Sequence, residues 1–224
     1  MDRRFCLYDV EESREVASVQ QSANVNVVAF SSRLPLVACG GHDGTVTVWE
    51  MLVEDDRVEL VKLHTMRASP RAVWRLQFNS DDSLLLWGGE SKEVYVGNVA
   101  SGENKSSIPG NHWAVCTTFS SDGRRLVTDS SMPQVMIWDA QTVEPVRSLD
   151  GHDANLTAVA ADPTSSVIAS ADSGAMIKSW DFSTGDELAS VRTTSPYIGM
   201  NITDVTGLTD GQFRALMELG AVVD

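Results

Sequence analysis

Short apolar stretches recur along most of the chain, and a cluster of turn-forming residues precedes each of them. The clusters are FSS at 30–32, FNSDDS at 78–83, FSSDGRR at 119–125 and ADPTSS at 161–166, followed by PLVACGG, SLLLWGG, RLVTDSS and SVIASAD. The stretches are rich in β-branched and aromatic residues and lack a helical period of 3.6 residues. The pattern predicts short antiparallel strands joined by tight turns.

An aromatic residue followed by an acidic one recurs at a period of about forty residues. Tyr8 and Trp49 are 41 residues apart, and Trp138 and Trp180 are 42 apart. Trp49 and Trp138 are 89 residues apart, about twice the period, and Gly97 occupies the missing position between them. Self-similarity at this spacing is typical of proteins that stack equal structural units.

The segments TVTVWE, VMIWD and MIKSWD resemble WD-repeat β-propeller units, and the resemblance covers residues 2–192, about 85% of the chain. It implies an all-β fold in which each blade is a sheet of four antiparallel strands, a to d from the central channel outward. We expect four full blades, a partial first blade and a short C-terminal helix. Three arrangements stay open: the C-terminal part of a larger protein, which we favour, pairing with another copy or chain, or closure with about five blades.

The repeat also sets the expected boundaries. We expect a partial blade over 1–20, blades over about 21–66, 67–109, 110–150 and 151–192, and a tail over 193–224. The inner strands are expected near 25–30, 72–78, 114–119 and 156–161, and the last outer strand near 187–192.

The tail carries a separate signal, which predicts a helix over 210–219. Thr209 and Gln212 stand at the two positions of a capping box, Phe213 and Leu216 begin a helical apolar face, and Gly220 suits the helix end. Such a short helix is marginal alone, so we expect it to dock, preferably on its own propeller. The string from PYIGMNI to the end resembles a tail of bacterial repeat-containing proteins, which implies a bacterial, cyanobacterial-type source.

Net charge and cysteine content limit the kinds of partner and compartment that we expect. Seventeen basic and 31 acidic residues give a net charge of −14, which disfavours nucleic acid and anionic membranes. The start lacks the profile of a signal peptide. The three scattered cysteines indicate a reducing compartment, which we take to be the cytoplasm, rather than a disulfide framework or a zinc site. We expect no metal, no cofactor and no catalytic residue.

His152, Ser170, Asp172 and Trp180 fall within one repeat. A Ser-His-Asp set can be catalytic, but no strained nucleophile turn or oxyanion-hole motif surrounds Ser170. The resemblance implies instead a buried structural hydrogen-bond network, from turn aspartate to loop histidine to strand serine to tryptophan. Partial copies of this network are expected at His112, Thr128, Trp138, Asp43 and Trp49.

The candidate partner-binding residues lie on or near inner strands, toward the channel and its rim: Trp74, Arg75, Trp113, Arg71 and Asn26. Tryptophan and arginine are enriched in binding hot spots. The competing interpretation is that the tryptophans fill gaps between diverged blades. The connection 51–59 is expected to be a solvated hairpin tip, or alternatively an acidic docking loop for a basic partner.

These observations favour a non-catalytic WD-repeat scaffold that docks a protein or peptide on its rim. The alternative is the sensing or autoinhibitory half of a larger bacterial signalling protein whose catalytic domain lies upstream. The expected partners are another protein or peptide, a second copy that completes the ring, or upstream domains of a longer chain.

Overall fold

A computed structural model describes residues 3–55, 57–67, 69–110, 116–130, 132–193, 200–218 and 221–223. Within these ranges the chain forms eighteen strands and one helix. The strands make one two-stranded and four four-stranded sheets, each built from strands that are consecutive in the chain and antiparallel to their neighbours. The predicted all-β architecture of four full blades, a partial first blade and a short C-terminal helix is confirmed.

The five sheets are numbered here in chain order. The first contains β1 (Arg4–Asp9) and β2 (Arg14–Gln20). The second contains β3 (Val25–Phe30), β4 (Leu36–Gly41), β5 (Thr45–Glu54) and β6 (Arg57–Arg67). The third contains β7 (Val73–Phe78), β8 (Leu84–Gly89), β9 (Glu93–Asn98) and β10 (Asn104–Pro109). The fourth contains β11 (Thr117–Phe119), β12 (Arg125–Asp129), β13 (Val135–Asp139) and β14 (Pro145–Leu149). The fifth contains β15 (Leu156–Ala161), β16 (Val167–Asp172), β17 (Met176–Asp181) and β18 (Glu187–Arg192).

The sheets stack face to face, and the second, third and fourth sheets, which have a neighbour on each side, bury both of their faces. In the fourth sheet, Leu126 and Trp138 share one face and pack toward the third sheet, whereas Val127 and Ile137 share the other face and pack toward Trp180 of the fifth. Successive side chains of a strand point to opposite faces of the sheet, so a fully apolar strand packs against both neighbouring sheets. Each buried Val or Leu contributes about 1.5–3 kcal/mol.

The stack has open ends in the described part of the chain. Every extensive contact between sheets joins consecutive sheets, and none joins the fifth sheet to the first or second. Ala169 and Ile177, which correspond to Val127 and Val135 of the fourth sheet, are exposed on the outer face of the fifth. The described residues therefore form an arc of blades rather than a closed ring.

In the third sheet, the space that the repeated tryptophan occupies in other sheets is filled by a different side chain. Gly97 stands at the tryptophan position, and a Cβ there would meet the Trp87 ring at 2.9 Å. Trp87 lies on the same face, is 1% exposed and stacks on Tyr95 with ring centroids 5.8 Å apart. The tryptophan that fills this space therefore lies on β8 instead of β9, and the absence of a side chain at Gly97 leaves room for its ring.

The connection 51–59 is a hairpin with an exposed tip, as the first of the two expectations had it, but its strands stay paired further than a short tip would. β5 and β6 stay paired from Met51 opposite Leu60 to Glu54 opposite Arg57. Alternating apolar residues such as Val53 favour a ladder that continues to the end of the connection. Val58 and Leu60 of the hairpin pack in one cluster with Ala17 and Val19 of the first sheet.

The tail contains the helix α1 (Asp210–Glu218), and residues 219 and 220 lie outside the described part. The Thr209 N–H donates to Gln212 Oε1 at 2.9 Å and the Gln212 N–H donates to Thr209 Oγ1 at 3.3 Å, which is a reciprocal capping box. Phe213 and Met217 stay exposed, and among the described residues α1 makes no extensive contact with a strand. The expected docking on the propeller is thus not observed there.

Candidate binding surface and buried network

The fifth sheet contains a buried chain of hydrogen bonds. His152 Nδ1 lies 2.7 Å from Asp172 Oδ2, and His152 Nε2 lies 2.7 Å from Ser170 Oγ. The Trp180 indole N–H donates to the same Ser170 Oγ at 2.8 Å. All four side chains are buried. The chain ties the loop before β15 to β16 and β17.

The network holds its aspartate in the charged form. Burial raises the pKa of Asp172, but backbone N–H groups of Met176 and Gly174, together with His152, more than offset this and hold the pKa below its usual range. Ser170 is 2% exposed, with its oxygen already shared between two ring nitrogens. A substrate has no access to that hydroxyl, so the arrangement supports the sheet rather than a reaction.

The fourth sheet repeats part of this arrangement. The Trp138 indole N–H donates to Thr128 Oγ1 at 3.0 Å, across the same strand pair. His112 lies outside the described residues, so its predicted place in the network has no structural counterpart here.

The second sheet departs from the predicted network. The residue at the position of Ser170 is Cys39, so the buried Trp49 indole N–H faces a thiol, which is a weak acceptor, instead of a hydroxyl. The Asp43 carboxylate accepts from the Thr45 N–H at 3.1 Å and from the hydroxyl of Ser22, 21 residues away in the loop before β3, at 3.1 Å. Ser22 thus takes the place that His152 has in the fifth sheet. Trp49 therefore lacks the hydroxyl acceptor that Trp180 and Trp138 have, and its predicted place in the hydrogen-bond network is only partly reproduced.

Two residues predicted to bind a partner serve the junctions between sheets. Asn26 Nδ2 donates to the Val73 carbonyl at 3.3 Å, and Arg75 Nε donates to the Thr117 carbonyl at 3.1 Å. Each bond joins an inner strand to the inner strand of the next sheet. Because Asn26 and Arg75 are half-buried and engaged with neighbouring backbone, we assign them to the scaffold rather than to an open surface.

The cysteines do not form a reactive site in the described structure. Cys6, Cys39 and Cys116 are all free thiols. Burial raises the pKa of Cys39, and burial followed by the charge of Asp129 raises the pKa of Cys116 to about 11. A thiol that stays protonated is a poor nucleophile and metal ligand.

The exposed part of the predicted surface is centred on Trp74. Its side chain is 41% exposed, and its ring meets His42 edge-on at 6.4 Å between centroids with an interplanar angle of 83°. The pairing register shifts between Val73 and Arg75, which is a bulge that re-aims the side chain between them.

The β4–β5 turn and the start of β7 approach closely at this point. A Cβ on Gly44 would lie 2.8 Å from the Arg71 carbonyl oxygen, and the Arg71 side chain is exposed. His42, Arg71 and Trp74 form what we call the Trp74 surface. His42 was not among the residues predicted to bind a partner, because its contact with Trp74 depends on how the second and third sheets pack. Trp113 lies outside the described residues.

Two further findings limit the chemistry of the described residues. Their His, Cys, Asp and Glu side chains form no cluster of three or more that could hold a metal ion. The helix found in that part of the chain is too short and polar to span a bilayer.

Stacked four-stranded sheets with a repeated tryptophan and its hydrogen-bonding partners define a WD-repeat β-propeller, a class whose members act generally as protein-interaction scaffolds. The match to a family model is more specific. The model for the Nucleolar protein 10-like, N-terminal domain matches residues 8–211, and the chain belongs to this family of β-propeller domains.

Curated relatives and a solved structure agree with this class. The chain is 30% identical to Nuclear distribution protein PAC1 of Meyerozyma guilliermondii over 65% of this chain and 22% of that protein. It is 29% identical to human Angio-associated migratory cell protein over 65% of this chain and 32% of that protein. A chain in the crystal structure of a mitotic checkpoint complex shares the fold with a TM-score of 0.70 at 17% identity, over 86% of this chain and 61% of that chain.

The matched region spans no more than about a third of these curated relatives. Both relatives are eukaryotic, so they lend no support to the predicted bacterial-type source or to the resemblance of the tail.

Proposed function

We propose that the protein is a non-catalytic interaction scaffold that docks another protein or a peptide at the Trp74 surface. The observation that carries this proposal is the exposed indole of Trp74, held edge-on by His42 on a rigid pair of sheets. Large exposed apolar side chains cost solvation unless a partner covers them, and tryptophan and arginine dominate binding hot spots.

The chemistry of the surface indicates what a partner would present. The Trp74 indole offers an apolar platform, and the nearby Arg71 guanidinium is exposed in a chain of net charge −14. An arginine of this kind pairs well with a carboxylate. We therefore expect a partner segment with an apolar side chain next to an acidic one.

We also propose that the protein works in the cytoplasm and without a cofactor. The three free thiols support a reducing compartment. The enclosed Ser170 and the network around it support the absence of catalysis.

The proposal is tested by affinity capture from source cells with the full-length protein as bait, comparing Trp74→Ala with the control Met132→Ala. Met132 is 59% exposed and lies away from the Trp74 surface in the chain. Loss of a hot-spot tryptophan weakens binding by about 2 kcal/mol or more, roughly thirtyfold. Partners retained by Met132→Ala should disappear from Trp74→Ala. An identical partner list from both variants would overturn the proposal.

A further inference from the structure

A second surface lies on the outer side of the molecule, where the extended β5–β6 hairpin passes the first sheet. β5 and β6 are 10 and 11 residues long, against 5 or 6 for most of the other strands. The added residues pair with one another alongside β2, and Leu52 is 40% and Val53 67% exposed. Leu52 lines the groove described next, whereas Val53, the following residue of the strand, points to the opposite face.

The hairpin and β2 enclose a groove of about 840 Å³, here called the hairpin groove. Its apolar lining comes from Ala17, Val19, Val58 and Leu60. The volume lies within the range of sites that bury a ligand segment.

The groove runs along strand edges. Its lining includes the consecutive residues 17–19 and 57–60, and consecutive residues point to opposite faces of a strand. In the described sheets β2 pairs only with β1, and β6 pairs only with β5. The segments 17–19 and 57–60 of two edge strands therefore flank the groove, which is the arrangement that lets an extended peptide add as another strand.

The rim of the groove is acidic. Glu54, Asp55 and Glu59 line it together with a single cation, Arg57. All four are exposed, so their charges face a bound segment from solvent. The acidic excess attracts a cationic segment, and the net charge of −14 acts in the same direction at longer range.

We propose that the hairpin groove binds an extended basic peptide of a partner protein, in which Lys or Arg alternates with Val, Ile or Leu. The apolar residues lie on the groove floor, the cations meet Glu54 and Glu59, and the peptide backbone pairs with the free edge of β2 or β6. The site is separate from the Trp74 surface and stands without it.

A displayed library of random peptides of about twelve residues tests this directly. It is selected against the full chain, with the Glu54→Lys/Glu59→Lys double variant as counter-selection. Selected peptides are then measured by fluorescence anisotropy against that variant and against Glu103→Lys/Glu144→Lys, which makes the same charge change at exposed positions elsewhere. All four glutamates are exposed, so both variants are expected to fold.

The expected peptides alternate basic and apolar residues. Their affinity should fall roughly tenfold or more in the groove variant and stay within about twofold in the control. Val58→Thr should also weaken binding, whereas Val146→Thr, at an exposed valine far from the groove in the chain, should not. Trp74→Ala should leave peptide binding unchanged. Failure of the docking function proposed for the Trp74 surface can therefore be distinguished from failure of this proposal. Selection of peptides without that alternation, or equal loss in both double variants, would overturn the proposal.

Discussion

Replacing Ser170 by alanine should destabilise the protein through two buried groups at once. The Ser170 hydroxyl accepts from the Trp180 N–H at 2.8 Å and lies 2.7 Å from His152 Nε2. Because His152 Nδ1 faces the Asp172 carboxylate, Nε2 is the nitrogen that accepts from the hydroxyl. Without the hydroxyl, the Trp180 indole N–H and His152 Nε2 each lose their hydrogen-bond partner. A buried polar group without a partner costs about 1–3 kcal/mol. For the two groups together we expect a loss of about 2–6 kcal/mol.

Urea unfolding followed by tryptophan fluorescence measures this loss, with Trp180 as a reporter next to the change. Ser173→Ala is the matched control, because Ser173 is exposed in the turn after β16. Ser170→Thr should recover most of the stability, since Thr128 fills the equivalent place in the fourth sheet with a hydroxyl that accepts from a tryptophan. The reasoning would be refuted if Ser170→Ala and Ser173→Ala unfolded at the same urea concentration.

Three further changes have expected outcomes. Cys39→Ser replaces the weak thiol acceptor of the buried Trp49 N–H by a hydroxyl and should stabilise the protein by up to about 1 kcal/mol in urea; a lower midpoint would contradict this. Gly44→Ala should cost at least about 2 kcal/mol by the same assay, because φ is +82° and the new Cβ would sit 1.9 Å from a neighbouring carbonyl oxygen. Hydrogen bonds from Thr164 lower the pKa of Asp162 to about 2, so its ionised form stabilises the native state above the ordinary value of 3.8. That contribution is lost as pH falls toward 2, so the difference in melting temperature between wild type and Asp162→Asn should shrink over this range and persist at pH 7.

The sequence predicted the strands well wherever a repeat signal fixed their phase. The last outer strand, expected near 187–192, is Glu187–Arg192, and the second inner strand, expected at 72–78, is Val73–Phe78. A strand at a fixed distance from a turn cluster and a tryptophan can be placed without any knowledge of its neighbours.

Features that depend on contacts between sheets were not predictable in the same way. Arg75 looked like a rim residue, but the carbonyl that it binds belongs to a strand 42 residues away. Trp87 was visible in its strand, yet its role in filling the space above Gly97 requires the register of β8 and β9. The hairpin tip at 51–59 was predicted, but the length over which its two strands stay paired was not, although the alternation of Met51 and Val53 was a usable signal.

Because extensive contacts join each sheet only to its neighbours in the described part of the chain, the position of a sheet in the stack determines how early it unfolds. Extensive contacts join only consecutive sheets in the described chain, so its stability behaves as a one-dimensional series of coupled units. A terminal unit in such a series is held by one interface and a central unit by two. Opening should therefore begin at the first and fifth sheets and travel inward, and the amides of the third sheet should exchange with solvent last. A partner that covers an end would slow the opening of the whole series, well beyond the residues it touches.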